Sequence, residues 1–387
     1  MRRQVAAVVL AGLTLGGCTE GADDAGPNET VTATPAPSSS APSEETPSSP
    51  SGDGSRSPSP QPSRPPGPPR VVDTIASGLE VPWGLGFLPN GDAIVTERDS
   101  RRVLRIHGRQ HAIEVRATID AAAPAGEAGL LGVAVSPEFS SDRELFFYVT
   151  TATDNRVVRA TYDGGRLGPV SVVLDGIPRG FVHDGGRLAF GPDGFLYVST
   201  GETGDPELAQ DRSSLAGKIQ RITTDGDPAP GNPFENSPIW SWGHRNVQGL
   251  AFDDRDRLWA SEFGQDTFDE LNLIEAGDNY GWPTVEGRGG RNGLVDPQVV
   301  WETDVASPSG LAFREGQLWL ASLRGQRLWR IDVTGPRARA PQDFFVGAYG
   351  RMRAVAVAPD GRLWVTTNNR DGRGAPAEDD DRILLIE

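Results

Sequence analysis

A single sequence pattern recurs six times along this chain, and it limits the possible folds more than any other feature. Each copy has two short runs of alternating apolar residues joined by a turn such as Pro-Asn-Gly or Pro-Asp-Gly, which is typical of a β-hairpin. The copies recur at intervals of roughly 50 residues, about the length of a four-stranded propeller blade with its loops. They are WGLGFLPNGDAIVTER (83–98), LGVAVSPEFSSDRELFFYVT (131–150), GRLAFGPDGFLYVSTGE (186–202), QGLAFDDRDRLWASEFG (248–264), SGLAFREGQLWLASLRG (309–325) and RAVAVAPDGRLWVTTNN (353–369). We therefore predict an all-β fold, a six-bladed β-propeller, for residues 71–387.

The two ends of the repeat region are expected to pair with each other. A strand at 382–386 would complete the last blade together with a strand at 71–76, and this pairing leaves no open sheet edge. Four tryptophans within strand patterns predict packing between blades: Trp259, Trp319, Trp329 and Trp364. We interpret the acidic run at 378–381 as a solvated loop.

The first residues have the pattern of a secretory signal rather than of a fold. Two arginines precede an apolar stretch that ends at Leu15, and Gly16, Gly17 and Cys18 follow. Cys18 is the only cysteine of the chain, and its setting resembles a bacterial lipoprotein signal in which this cysteine is lipidated. An ordinary signal peptide that contains a cysteine by chance is the alternative. We predict a lipoprotein signal peptide at 1–17 and an extracytoplasmic location, at the cell surface or in the periplasm.

Composition predicts a tether and excludes several classes of partner. Residues 18–70 are mostly Pro, Ser, Thr, Gly and acidic residues, which is typical of a disordered linker. The formal charge of −16 argues against nucleic acid as a partner. One cysteine excludes an internal disulfide framework and an iron–sulfur centre. No apolar run after Leu15 approaches the roughly 20 residues of a membrane span, so we expect membrane contact through the lipid only.

Polar residues recur at the repeat positions where the first strand of a hairpin starts and its second strand ends. These positions meet at one end of a propeller's channel and are therefore candidates for one shared site. They are His183, Arg245, Asn246, Gln248, Arg351 and Arg353 before or at the start of first strands, and Glu97, Glu202, Glu262 and Arg324 at the ends of second strands. The surplus of arginines favours an anionic ligand. A ring of salt bridges that lines a water-filled channel is the alternative.

Four runs of residues, in this order, resemble the soluble glucose/sorbosone dehydrogenases. They are HDGGRL (183–188), WGHRNVQGL (242–250), DELNLI (269–274) and NYGWP (279–283), and the arginine pair at 351 and 353 follows them. The family consists of six-bladed propellers that use pyrroloquinoline quinone (PQQ) and calcium. The resemblance implies oxidation of an aldose at its anomeric hydroxyl to the lactone, with hydride transfer to PQQ. The sugar and the electron acceptor are left open.

The resemblance also assigns roles to individual residues. His183 matches the general base, and a neutral imidazole suits that step. Arg245 matches the arginine that stabilises the developing oxyanion, and Glu202 stands where some members have an aspartate that orients the histidine. Cofactor contacts are implied for Arg245, Asn246, Gln248, Arg324, Arg351 and Arg353.

Two calcium sites are implied in the same way. The backbone carbonyls of Gly264 and Gln265 match the ligands of the cofactor's calcium, and Glu270 with the backbone of Tyr280 matches a second, structural site. Phe263 departs from the family's usual polar residue.

Two further departures are the glutamine at 265 in place of a usual proline and the short segment 282–301. A calcium-dependent propeller lactonase, with acids and asparagines around one metal, is one alternative function. A non-catalytic propeller lipoprotein that binds carbohydrate or a partner is another.

Overall fold

The computed structural model describes residues 67–107 and 111–387. The predicted signal peptide, Cys18 and nearly all of the predicted tether lie outside the described residues. Strand β1 (Val71–Ala76) comes first, and the chain then builds one antiparallel sheet after another. Among the described residues, no helix combines the length and the apolar character needed to cross a membrane.

The first three sheets follow each other in sequence order. Blade 1 contains β2 (Pro82–Phe87), β3 (Ala93–Glu97), β4 (Arg102–Ile106) and β5 (Ile113–Thr118). Blade 2 contains β6 (Leu130–Val135), helix α1 (Phe139–Asp142), β7 (Glu144–Thr150), β8 (Asn155–Asp163), the short β9 (Arg166–Leu167) and β10 (Ser171–Ile177). Blade 3 contains β11 (Leu188–Phe190), β12 (Leu196–Ser199), a 3-10 helix (Pro206–Ala209), β13 (Lys218–Ile222) and β14 (Ile239–Trp242).

The remaining sheets have the same plan. Blade 4 contains β15 (Val247–Phe252), β16 (Leu258–Glu262), β17 (Phe268–Ile274) and β18 (Val299–Glu302). Blade 5 contains β19 (Pro308–Arg314), β20 (Gln317–Ser322), β21 (Arg327–Thr334) and β22 (Arg337–Phe344). Blade 6 contains β23 (Met352–Val357), β24 (Leu363–Thr367), β25 (Ile383–Ile386) and β1. The six sheets confirm the predicted six-bladed propeller.

The first strand of every blade lies innermost, and these strands contact one another in a closed ring that returns from β23 to β2. The small residues of the repeat make this close approach possible. A Cβ at Gly249 would collide with the backbone carbonyl of Ser309 on the next inner strand. The glycines of the sequence pattern therefore belong to the packing of the channel wall.

The chain ends pair as the sequence predicts. Strand β1 is antiparallel to β25, with Val71 opposite Ile386 and Thr74 opposite Leu384. The observed last strand begins at Ile383, one residue later than expected. Blade 6 thus combines the first and last strands of the propeller, which closes the ring.

Tryptophans fill the spaces between neighbouring blades. Trp259 of blade 4 and Trp329 of blade 5 belong to one buried cluster. Trp364 of blade 6 packs edge-on against Phe87 of blade 1, with ring centroids 5.0 Å apart. The predicted packing role of the tryptophans is confirmed.

The interpretation of the acidic run at 378–381 as a solvated loop is wrong for its last two residues, because Asp380 and Asp381 are buried. Asp381 accepts the backbone N–H of Asn369, and Asp380 accepts the side chain of Arg382 at 3.0 Å. Burial raises the pKa of Asp381 to about 6, against the opposing effect of its N–H partners. The run of acidic residues did not predict this burial, since Asp381 accepts N–H groups from Asn369 and from the distant Val81.

Candidate active site

The mouth of the channel, where the inner strands begin and the second strands end, contains a cavity of about 380 Å³. This volume is typical of a small-molecule site. Among the described residues that line it are five arginines and a single carboxylate, namely Arg245, Arg324, Arg351, Arg353, Arg373 and Glu127. The cavity is therefore suited to an anion.

His183 presents its imidazole to this cavity, and Glu202 lies behind the ring. Nδ1 of His183 is in hydrogen-bonding contact with Oε1 of Glu202, whose side chain is only 2% exposed. A carboxylate at Nδ1 favours the tautomer that carries its proton there, which leaves the lone pair on Nε2. The pair therefore provides a proton acceptor at the mouth of the channel.

The backbone of His183 adopts a left-handed conformation, with φ of 57°. Its N–H donates to Oε2 of Glu127 at 3.0 Å, and its carbonyl accepts the N–H of Thr203 at 3.1 Å. A Cβ at Gly201 would collide with the same carbonyl. Residues other than glycine rarely adopt the left-handed backbone conformation, so the surrounding contacts must stabilise it here. Burial raises the pKa of Glu127, but hydrogen bonds from Arg373 and His183 outweigh burial and keep the pKa below its ordinary value.

Asp184 supports the same segment as a buried carboxylate that forms no ion pair within the described part of the chain. Its Oδ1 accepts the backbone N–H of Gly180 and the side-chain amide of Asn155, each at 2.9 Å. Burial raises the pKa of Asp184 to about 6, although these two hydrogen bonds act in the opposite direction. A carboxyl group with a raised pKa in the folded state stabilises the protein when protonated, and this stabilisation is lost as the pH rises through about 6.

We expect Asp184→Asn to remove this pH dependence. The variant cannot ionise at this position. The difference in free energy of unfolding between variant and wild type should therefore change by about 2 kcal/mol in favour of the variant from pH 4 to pH 7. Urea unfolding of both proteins at the two pH values measures the shift. A difference between the two proteins that stays constant with pH would contradict the prediction.

A buried network fixes the backbone of Arg245. Its N–H donates to Oε1 of Glu262, and Oε2 of Glu262 lies 2.9 Å from Nδ1 of His244. Nε2 of His244 lies 2.9 Å from Oγ of Ser241, and the imidazole stacks on Tyr280 with ring centroids 4.7 Å apart. His244 is completely buried. This serine–histidine–glutamate series therefore supports the cavity wall and does not reach a substrate.

The guanidinium of Arg245 lies at the cavity surface. It is 5.4 Å from the ring of Trp282, and Nη1 donates to the carbonyl of Phe263 at 3.3 Å. Burial lowers the pKa of Arg245, and nearby glutamates only partly oppose this effect. Its Nε is buried and has no hydrogen-bond partner in the described part of the chain.

Arg351 and Arg353 form another wall of the cavity. Arg353 donates from Nη1 to Oε1 of Gln248 at 2.9 Å, whereas Arg351 lies 2.8 Å from the carboxylate of Asp371. Burial lowers the pKa of Arg353 to about 9, and its Nε finds no partner among the described residues. A buried cation without a carboxylate partner is costly, and a bound anion would offset that cost.

The residues predicted to bind calcium occupy two places. Gly264 lines the main cavity and the exposed Gln265 follows it. Glu270 and Tyr280 line a separate small cavity of about 10 Å³. Burial, followed by the nearby charge of Glu262, raises the pKa of Glu270 to about 8. The described residues contain no group of three or more His, Cys, Asp or Glu side chains placed to hold a metal.

The structure brings most of the predicted positions together. Glu202 contacts His183, and the cavity lining includes His183, Arg245, Asn246, Gln248, Gly264, Arg324, Arg351 and Arg353. Glu97 and Glu262 were predicted to belong to the polar residues at the mouth of the channel. In the structure both are buried in the wall and do not line the main cavity. Glu97 binds Arg102 at 2.5 Å and so does not contribute to the cavity lining.

Four residues of the cavity lining were missed by the sequence analysis, namely Glu127, Ser307, Leu323 and Arg373, and two of them are charged. Glu127 and Arg373 form an ion pair of 2.8 Å between loops of blades 2 and 6. Glu127 precedes Val135 by eight residues, whereas His183 precedes the equivalent Phe190 by seven. A search that allowed an offset of eight residues before this repeat position, as well as seven, would have found Glu127. Arg373 lies in a loop beyond the repeat, where no such signal exists.

The family model described as glucose/sorbosone dehydrogenase matches residues 79–383. The chain belongs to the glucose/sorbosone dehydrogenase family. Aldose sugar dehydrogenase YliI of Escherichia coli strain K12 is 28% identical over 337 residues, which cover 78% of this chain and 91% of that one. Quinoprotein glucose dehydrogenase B of Acinetobacter calcoaceticus is 32% identical over 251 residues, which cover 55% and 52% of the two chains.

Solved structures agree with this membership. The structure of the PQQ-bound form of aldose sugar dehydrogenase from Streptomyces coelicolor has 54% identity and a TM-score of 0.81, and it covers 82% of this chain and 97% of its own. These two relatives and this solved structure are all named as sugar dehydrogenases.

Proposed function

We propose that this protein oxidises an aldose at its anomeric hydroxyl to the lactone, with PQQ and calcium as cofactors. The observation that carries the proposal is the His183–Glu202 pair at the edge of an arginine-lined cavity. A proton acceptor next to a binding site for a polyanion is what sugar oxidation by a tricarboxylate quinone requires. The names of the relatives support the same assignment.

The cavity residues fit PQQ by charge and by unsatisfied hydrogen-bonding atoms. PQQ would supply the acceptor for the hydride. Arg324, Arg351 and Arg353 would hold its carboxylates, since guanidinium groups bind carboxylates with charge-assisted hydrogen bonds. Asn246 and Gln248 add neutral polar contacts at the same wall. Within the described part of the chain, the buried Nε atoms of Arg245 and Arg353 have no hydrogen-bond partner, and this supports a bound ligand at the site.

His183 would take the proton from the anomeric hydroxyl of the sugar. Glu202 occupies Nδ1, so the transfer is to Nε2, which is the free nitrogen of the ring. Glu202 keeps the ring in this orientation and stabilises the imidazolium that results. The left-handed backbone and its bond to Glu127 fix where the ring enters the cavity.

Arg245 would stabilise negative charge that develops during the reaction. Its guanidinium is confined between Trp282 and the carbonyl of Phe263. A positive group held in place in a buried site stabilises developing charge strongly, because little reorganisation is needed. The buried network below its backbone keeps it there.

Reconstitution tests the proposal directly. Purified protein is mixed with PQQ and calcium, and reduction of a dye is followed with a panel of aldoses. We expect a saturable spectral change of PQQ on binding and sugar-dependent bleaching of the dye. Binding of PQQ without turnover of any aldose would contradict sugar oxidation, and the absence of binding would contradict the whole proposal.

We further propose that the enzyme is a lipoprotein outside the cytoplasm, held through Cys18 by the linker at 18–70. The support is the pattern of the first residues. Mass spectrometry of the mature N-terminus tests it. Recovery of an unmodified N-terminus at any residue other than Cys18 would contradict the anchor.

A further inference from the structure

One glutamate outside the predicted site collects an unusual number of backbone hydrogen bonds. Oε1 of Glu286 accepts the N–H groups of four consecutive residues, 265–268, at 2.6, 3.0, 3.0 and 3.3 Å. Burial raises the pKa of Glu286, but these N–H groups outweigh burial and keep the pKa below its ordinary value. The carboxylate of Glu286 thus fixes the backbone conformation of this loop.

The hydrogen bonds determine the direction of the carbonyls in the same loop. In a trans peptide unit the N–H of one residue and the carbonyl of the preceding residue point in opposite directions. The N–H groups of Gln265 and Asp266 point at Glu286, so the carbonyls of Gly264 and Gln265 point away from it. These two carbonyls are the ones implied as ligands of the cofactor's calcium.

Glu286 and the start of this loop lie beside the two cavities of the site. Phe263 and Gly264 line both the main cavity and the small neighbouring cavity, whereas Glu286 lines only the small one. The start of the loop, at Phe263 and Gly264, therefore borders both cavities, and the carbonyl of Gly264 points away from the Glu286 side.

A second carboxylate fixes the start of the loop. The N–H of Gly264 donates to Oδ1 of Asp269 at 2.9 Å, while Oδ2 of Asp269 accepts the N–H of Ser307 at 2.6 Å. A Cβ at Gly264 would collide with the carbonyl of Phe268 and lie 2.7 Å from Oε1 of Glu286. The turn is closed tightly from both sides, with no room for another side chain at Gly264.

We propose that Glu286 is a positioning residue for calcium, which orients the carbonyls of Gly264 and Gln265 toward the cofactor cavity. The inference rests on the proposed PQQ- and calcium-dependent function. Glu286 acts through the backbone and does not itself contact substrate or cofactor. Partners that orient metal ligands change metal affinity by about 10–100-fold when they are replaced.

The test measures the calcium concentration that gives half-maximal PQQ binding, together with the unfolding temperature in chelator. We expect Glu286→Gln to raise that concentration by about tenfold or more, because a neutral amide accepts N–H bonds more weakly than a carboxylate. Excess calcium should restore full PQQ binding. The unfolding temperature without calcium should change little, since only one loop is loosened.

Two further variants separate geometry from charge. Asp296→Asn removes a nearby carboxylate that accepts the N–H groups of Gly289 and Gly290, and it should leave the calcium requirement as in wild type. Glu286→Asp keeps the charge but is too short to reach all four N–H groups, so it should raise the requirement as Glu286→Gln does.

The outcomes distinguish this inference from the proposed function. Wild-type protein that binds no PQQ at any calcium concentration would overturn both. Wild-type binding with an unchanged calcium requirement in Glu286→Gln would overturn only the role of Glu286. An equal rise in Asp296→Asn, or wild-type behaviour of Glu286→Asp, would assign the effect to charge and would also overturn the positioning role.

Discussion

Replacing His183 by asparagine is expected to lower turnover of the reconstituted enzyme by about 10²–10⁴-fold, the usual contribution of a general base. Asparagine tolerates left-handed backbone better than most residues, so the φ of 57° at this position is retained with little strain. Its amide cannot accept a proton at neutral pH. PQQ affinity should change little, because the arginines carry that interaction. Steady-state dye reduction at saturating sugar gives turnover, and a PQQ titration gives affinity.

His111 provides a matched control for this experiment. It also has a left-handed backbone, with φ of 55°, but it lies between the outer strands β4 and β5, on the face of the propeller opposite to His183. His111→Asn should therefore turn over at the wild-type rate. If His183→Asn retained turnover close to wild type, the base would have to be another group.

Replacing Arg353 by methionine is expected to weaken PQQ binding by about 2–4 kcal/mol, or roughly 30–1000-fold in Kd. The guanidinium is buried and would lose a charge-assisted interaction with a ligand carboxylate. Without cofactor, the Arg353→Met variant should be no less stable than wild type. This expectation distinguishes a residue that serves binding from one that stabilises the fold. Burial lowers the pKa of Arg353 to about 9, because desolvation disfavours the charged guanidinium when no anion is bound. Titration with PQQ measures affinity, and thermal unfolding without cofactor measures stability.

Arg330 is the appropriate control for Arg353. It is similarly buried, at 8% exposure against 4%, but it lies on β21 of blade 5 and donates to the carbonyl of Gly67 and to Gln342. Arg330→Met should lower stability and leave PQQ affinity unchanged. The assignment of Arg353 would be wrong if its variant lost stability and kept wild-type affinity.

The fold was predictable because its information is local and repeated. Each blade carries its own alternating pattern and turn, so six copies specify six sheets without knowledge of their contacts. The positions of His183, Arg245 and Arg353 followed from the same periodicity, since equivalent residues of a repeat lie at the same end of the channel. The contact of His183 with Glu202 agrees with the role that the family resemblance implied.

The remaining features depend on contacts that no repeat encodes. Glu127 and Arg373 meet although 246 residues separate them in the chain. Asp381 is buried because blade closure brings Asn369 and Val81 to it. These loops vary from blade to blade, so no sixfold pattern constrains them.

The sequence by itself determined the number of blades, the closure of the ring and the end of the channel at which polar residues gather. Only the tertiary structure decided which of these residues share the cavity and how the loop beside Gly264 is turned. The physical reason is that strand alternation depends on residues two positions apart, whereas backbone N–H groups in a loop take whichever acceptor the fold supplies. For the loop 265–268 that acceptor is Glu286, which lies 18 to 21 residues further along the chain.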